Sequence, residues 1–116
     1  MDPNEHAVYL TFDDGPIPQS TPFLLETLSK YDIKATFFMV GDNVQKYPEL
    51  YQQIVDAGHQ VGNHTNNHLG AFKHWTTTYV INAFKANELI HSHLFRPPHG
   101  IMRFSEYYWL RKAFKI

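Results

Sequence analysis

Four short apolar runs, each followed by a segment of helical period, set the narrowest limit on what this chain can fold into. Ala7–Phe12, Ala35–Val40, His59–Asn63 and Leu94-Phe95-Arg96 read as strands. ATFFMV at 35–40 shows no polar alternation, the pattern of a strand buried on both faces, and Gly41 stops it. The first helix opens at Thr21-Pro22, with Thr21 as N-cap and Pro22 at the first helical position; Phe23, Leu24, Leu28 and Tyr31 mark its apolar face. A second covers roughly 44–57, with Leu50, Ile54 and Val55 inward and Gly58 as its stop. A third runs from about Thr77 to Ile90, packing through Val80, Ile81, Phe84 and Leu89, and a last one is capped by Ser105 and continues to about Phe114. Strand then helix, four times over, argues for a parallel sheet covered by helices. Eight-unit β/α barrels run to roughly 250 residues, about 31 per unit. The 116 residues here match four such units, the N-terminal half of a barrel, and an open four-stranded sheet fits the same pattern.

The totals mostly exclude. The length allows one domain, and a net charge of −1 with interspersed signs favours neither nucleic acid nor an anionic membrane. No apolar run is long enough to cross a bilayer, and MDPNEHAV lacks the basic and apolar regions of a signal peptide. Without cysteine, any metal site must be built from carboxylates and the chain's eight histidines.

Polar clusters follow three of the strands: Asp13-Asp14 after the first, His64-Thr65-Asn66-Asn67-His68 after the third, and Arg96-Pro97-Pro98-His99-Gly100 after the fourth. In parallel α/β folds the C-terminal ends of neighbouring strands converge on one rim, where catalytic residues gather. Taken singly, Asp-Asp-Gly reads as a solvated turn, His-x-x-x-His as surface or core histidine, and Arg-Pro-Pro-x-Gly as a rigid turn. On successive strand ends they read jointly as a site. Two imidazoles and one carboxylate make a three-point metal site with positions left open. That explains the adjacent acids: one binds the ion and the other stays free as a general base, the cation offsetting their repulsion. His64 and His68 lie one turn apart if that segment is helical.

TFDDGP at 11–16, HTNNH at 64–68 and RPPHG at 96–100, with KATFFMVG and AGHQVGNHT between them, resemble the first three motifs of the polysaccharide deacetylases, the NodB-homology domains of carbohydrate esterase family 4. The resemblance implies a distorted β/α barrel that removes acetyl groups from N-acetylglucosamine polymers or other acetylated polysaccharides, of chitin, peptidoglycan or xylan type. It further implies a divalent ion, zinc first with cobalt or nickel as alternatives. Carried over by position, Asp13 matches the catalytic base, and Asp14, His64 and His68 match the metal ligands. Arg96 matches the arginine that holds the base in place. His99 stands where the family has tyrosine and keeps the backbone N–H that supports the oxyanion. Asn63 and Thr65 are candidates to support the ligands.

The family's later motifs, which carry a tryptophan and a Leu-x-His general acid, would fall after Ile116, so the chain reads as a partial domain spanning 1–116. Leu89-Ile90-His91 has the right letters in the wrong place and reads as a helix end; His74 and His93 are likewise expected outside the site. Phe104, Tyr107, Tyr108 and Trp109 are expected to pack against strands. Open strand edges make self-association a further expectation. The alternative to an enzyme is a shortened, inactive metal- or carbohydrate-binding module. An extracellular or cell-envelope location rests on the resemblance alone.

Overall fold

The computed structural model describes residues 10–70 and 74–116. Three parallel strands, β1 (Leu10–Gly15), β2 (Ala35–Met39) and β3 (Gln60–Asn63), lie side by side in sequence order. Leu10 faces Ala35 and Phe12 faces Phe37 across the first pair; Thr36 faces Gln60 and Met39 faces Asn63 across the second. The expected start of the first strand, residues 7–9, lies outside the described residues. Its far end corrects the sequence reading: Asp13-Asp14-Gly15 belongs to β1 rather than to a turn after it. The register shifts between Asp13 and Gly15, and Asp14 sits at φ 74°, so the strand bulges at the second acid.

The fourth strand is reduced to single parallel bridges, Asn63 to Phe95 and Leu94 to Lys115. Pro97 and Pro98 supply no N–H to prolong the ladder. The sequential, all-parallel order is still the one a barrel requires.

Helix α1 spans Thr21–Lys30. Ser20, not Thr21, occupies the N-cap position, and the Thr21 hydroxyl instead accepts the Ile17 N–H at 2.8 Å. Leu24, Leu25 and Leu28 pack inward, whereas Phe23 and Tyr31 are exposed, contrary to expectation. The expected second helix is two, α2 (Gly41–Lys46) and α3 (Pro48–Asp56), because Pro48 cannot donate and forces Tyr47 out of helical geometry. Ile54 is fully buried, Leu50 half-buried and Val55 exposed; Gly58 at φ 85° ends α3 as the spacing predicts.

Helix α4 (Thr76–Ile90) buries Tyr79, Ala83, Ala86 and Ile90 and leaves Ile81, Phe84 and Leu89 exposed, reversing most of the expected face. Close approach explains the choice. A Cβ on Gly41 would stand 3.0 Å from the Ala86 Cα, so this contact admits only small residues. Helix α5 (Phe104–Leu110) is capped at Arg103, whose N–H donates to the Glu106 carboxylate at 2.7 Å. Ser105 lies inside it and pairs with the Thr76 hydroxyl, and the helix stops at Leu110 rather than Phe114. Phe104, Tyr107, Tyr108 and Trp109 are exposed, not packed on strands; α5 is anchored by Leu110 and Glu106, both fully buried. The core has two parts, one of β2 with α1, α2, α3 and α4 around Phe37, Met39 and Ile54, the other around Tyr79, Phe95, Leu110 and Phe114.

Candidate metal centre

The bulge in β1 sends its two acids to different partners. Asp13 Oδ1 accepts from Arg96 Nη1 at 2.9 Å. Asp14 Oδ1 lies 3.3 Å from His64 Nε2 and 3.2 Å from His68 Nε2. The donor atoms of Asp14, His64 and His68 all fall within 4.8 Å of one another.

His64 follows directly on β3 and is 2% exposed. Its N–H donates to Met39 O, and its ring Nδ1 lies 2.7 Å from Arg96 O. A carbonyl only accepts, so Nδ1 carries the proton and the Nε2 lone pair faces Asp14. Burial holds the His64 pKa below the usual histidine value, with the Arg96 carbonyl and the nearby acids opposing part of that shift. A neutral imidazole aimed by a backbone carbonyl is the state a metal ligand needs.

The segment between the histidines is not a helical turn. Thr65 and His68 stand at φ 66° and 57°. Local bonds and one from α4 hold the kink: Thr65 N–H donates to Asn63 Oδ1 at 2.9 Å, Leu69 N–H to Thr65 Oγ1 at 2.9 Å, and Asn66 N–H to Asn82 Oδ1 of α4 at 2.8 Å. Asn63 and Thr65 are fully buried, in keeping with the supporting place the sequence suggested.

Arg96 reaches the site from the bridge region after β3. Its Nη1 also donates to Thr11 Oγ1 at 3.0 Å, and its guanidinium lies 4.2 Å from the centroid of the Phe38 ring. His99 sits at φ 61° in the 3₁₀ turn Pro98–Gly100, exposed, with its ring edge-on to His68 at 4.8 Å between centroids. All six site residues expected from the sequence therefore meet at one rim, through these contacts. His91 ends α4 in a left-handed cap, as expected of a helix terminus, and His74 accepts the Arg103 side chain through its carbonyl.

Sequence reasoning passed over Thr11 and Phe38. Thr11 carries a readable signal, since it lies two residues before Asp13 and so on the same strand face. Phe38 has none, being one of several apolar residues in a buried run.

Two neutral-capable imidazoles and a carboxylate, converging with Asp14 half-exposed to solvent, fit a divalent transition ion with open positions. Asp14, His64 and His68 would hold it, with Asp13 beside it in the grip of Arg96.

The polysaccharide deacetylase family model matches residues 1–110. A peptidoglycan-N-acetylglucosamine deacetylase of Bacillus cereus is 35% identical over 112 residues, covering 91% of this chain and 41% of that protein. A chitooligosaccharide deacetylase of Bradyrhizobium is 50% identical over 62 residues, 53% of this chain and 28% of the relative. The structure of the peptidoglycan deacetylase PdaC from Bacillus subtilis superposes with a TM-score of 0.91 at 31% identity, covering 100% of this chain and 60% of that one. The chain thus spans under half the length of these curated relatives.

Proposed function

The chain belongs to the polysaccharide deacetylase family, and from that premise we propose that it acts as a metal-dependent hydrolase on N-acetylglucosamine-containing glycans, cleaving the carbon–nitrogen bond of the acetamido group. The observation that carries this reading is the Asp14–His64–His68 cluster beside an Asp13 carboxylate clamped by Arg96. The amide substrate is favoured over an acetyl ester of xylan type because the similar proteins are named for peptidoglycan and chitooligosaccharide. An envelope or extracellular location goes with that substrate.

Asp14, His64 and His68 would hold the ion, for which zinc is the first choice and cobalt or nickel share the ligand chemistry. When bound, it supplies Lewis-acid polarisation of the acetyl carbonyl and lowers the pKa of a neighbouring water. Asp13 takes the proton from the attacking water, and Arg96 with Thr11 keeps its carboxylate aimed while it does so. The backbone N–H of His99 supports the oxygen on which negative charge develops. The proton is finally returned to the leaving amine.

Acetate release from chitin oligosaccharides and from peptidoglycan, with added zinc and with chelator, tests the proposal. Zinc-dependent release that Asp13→Asn abolishes is expected. No release from zinc-loaded protein would overturn the enzymatic reading, and zinc or glycan binding without turnover would mark a binding module instead.

A further inference from the structure

Asp14 and His64 come from strands that do not touch. β2 lies between β1 and β3, so no sheet hydrogen bond sets the distance from the carboxylate to the imidazoles. The first turn of α2, directly after β2, touches both sides. On the histidine side, Gly41 N–H donates to Thr65 O at 3.0 Å and Asp42 N–H to Asn66 O at 2.7 Å, while Asn66 Nδ2 donates back to Asp42 Oδ1 at 3.1 Å. On the acid side, Asn43 Nδ2 donates to Asp14 O at 2.7 Å. A side chain on Gly41 would collide with Asn66 Oδ1, so the turn is seated directly on the ligand loop.

Asp14 is a non-glycine residue in left-handed backbone at φ 74°, a conformation that persists only where its surroundings impose it. Val40 N–H holds the next carbonyl, Gly15 O, at 3.0 Å, and Asn43 holds that of Asp14 itself. The kink separates the two acids, sending Asp13 to Arg96 and Asp14 to the histidines. We propose that Asn43 is a positioning residue for the metal centre: its amide locks the Asp14 kink and thereby sets the carboxylate against His64 and His68. This rests on the metal-centre reading above. Asn43 lies outside all three strand-end motifs and acts through the Asp14 carbonyl rather than through a ligand side chain.

The test compares wild type, Asn43→Ala, Asn43→Asp and, as control, Gln52→Ala, which removes an exposed amide bonded to Asp56 on α3. Zinc affinity is read by competition with a chromophoric chelator, and melting temperature is read with and without zinc. Both Asn43 variants are expected to bind zinc at least tenfold more weakly, the scale of such supporting contacts. Their metal-free melting temperatures are expected to stay near wild type, and Gln52→Ala to match wild type throughout. Asn43→Asp keeps the shape but turns an acceptor towards a carbonyl, so it groups with alanine; it also carries the test should Asn43→Ala fail to fold. Zinc affinity within twofold of wild type in Asn43→Asp overturns the proposal. So does an equal loss of melting temperature with and without zinc, which marks a merely structural role. Wild-type protein that binds no zinc overturns the metal centre and the positioning role with it. Zinc binding lost in Asp14→Asn but kept by both Asn43 variants overturns the positioning role alone.

Discussion

Arg96 serves the site twice, by different parts of the residue. Its side chain holds Asp13 and Thr11, while its carbonyl accepts the His64 ring N–H and its own N–H donates to Asn63 O. Substitution removes only the first set. Arg96→Ala is therefore expected to lower kcat about 100-fold, the low end of what an aimed base contributes, while zinc affinity stays within about threefold because the backbone contact to His64 remains. Acetate-release kinetics alongside a zinc titration check both halves; parallel loss of activity and zinc would show that the side chain holds the ligands as well. At this scale the sequence was generous wherever chemistry requires a particular side chain at a strand end. Asp13, Asp14, His64, His68, Arg96 and His99 all lie where strand order puts them. It was silent on Asn43 and Phe38, whose roles come from where the chain folds back rather than from the residue type.

Between elements, closeness of approach governs, and hydrophobicity is a poor guide to it. The apolar residues of α4 that look most suited to a core, Ile81 and Phe84, are exposed, and Ala86 faces inward where Gly41 of α2 presses on it, while Ala83 faces Tyr79, Phe95 and Leu110. The alternation of strand and helix is legible because period and punctuation are local; the strand order was left open, and which helix face is buried depends on a partner the pattern does not name. The break at Tyr47-Pro48 was written in the sequence and outweighed by the apolar spacing either side of it. The β2–β3 pair shows the same rule at a glycine. A Cβ on Gly62 would lie 2.5 Å from two atoms of the Phe38 ring, and that ring supports the Arg96 guanidinium. Gly62→Ala is expected to destabilise the protein by about 1–3 kcal/mol, as overpacking does, and to cost activity through Arg96. Urea unfolding with parallel assays of Gly62→Ala checks it; an unchanged midpoint and full activity would show that Phe38 moves aside freely.

Across the whole molecule, the sheet works differently at its two ends. The extents of 43 × 38 × 20 Å describe a slab, and the radius of gyration of 14.6 Å exceeds the about 13 Å of a compact chain of this length. Among the described residues β1 is largely exposed along its length, so ties between the strand ends matter. At the C-terminal strand ends the ties are the ligand contacts. At the opposite end the tie is His59, 8% exposed, whose Nδ1 accepts the Ala35 N–H at 3.0 Å and so joins the start of β2 to the start of β3. The acceptor must be unprotonated, and burial first, then the Lys34 charge, lowers the His59 pKa below the ordinary value. The unfolded chain takes up its proton near pH 6.5, while the folded chain does so only at lower pH. Between those values the unfolded state binds more protons, so stability rises with pH there: the contribution is complete above about pH 6.5 and is lost on acidification through the folded value. His59→Gln cannot titrate. It is expected to be less stable than wild type at pH 8 by about 1 kcal/mol, the worth of one hydrogen bond, and the difference is expected to shrink as pH falls to 5. Urea unfolding of both proteins at several pH values, with chelator present so that the far end of the sheet contributes equally, isolates His59 as the difference between the curves. Curves that run parallel from pH 8 to 5 would show that His59 takes up its proton at the same pH in both states, so that folding does not lower its pKa.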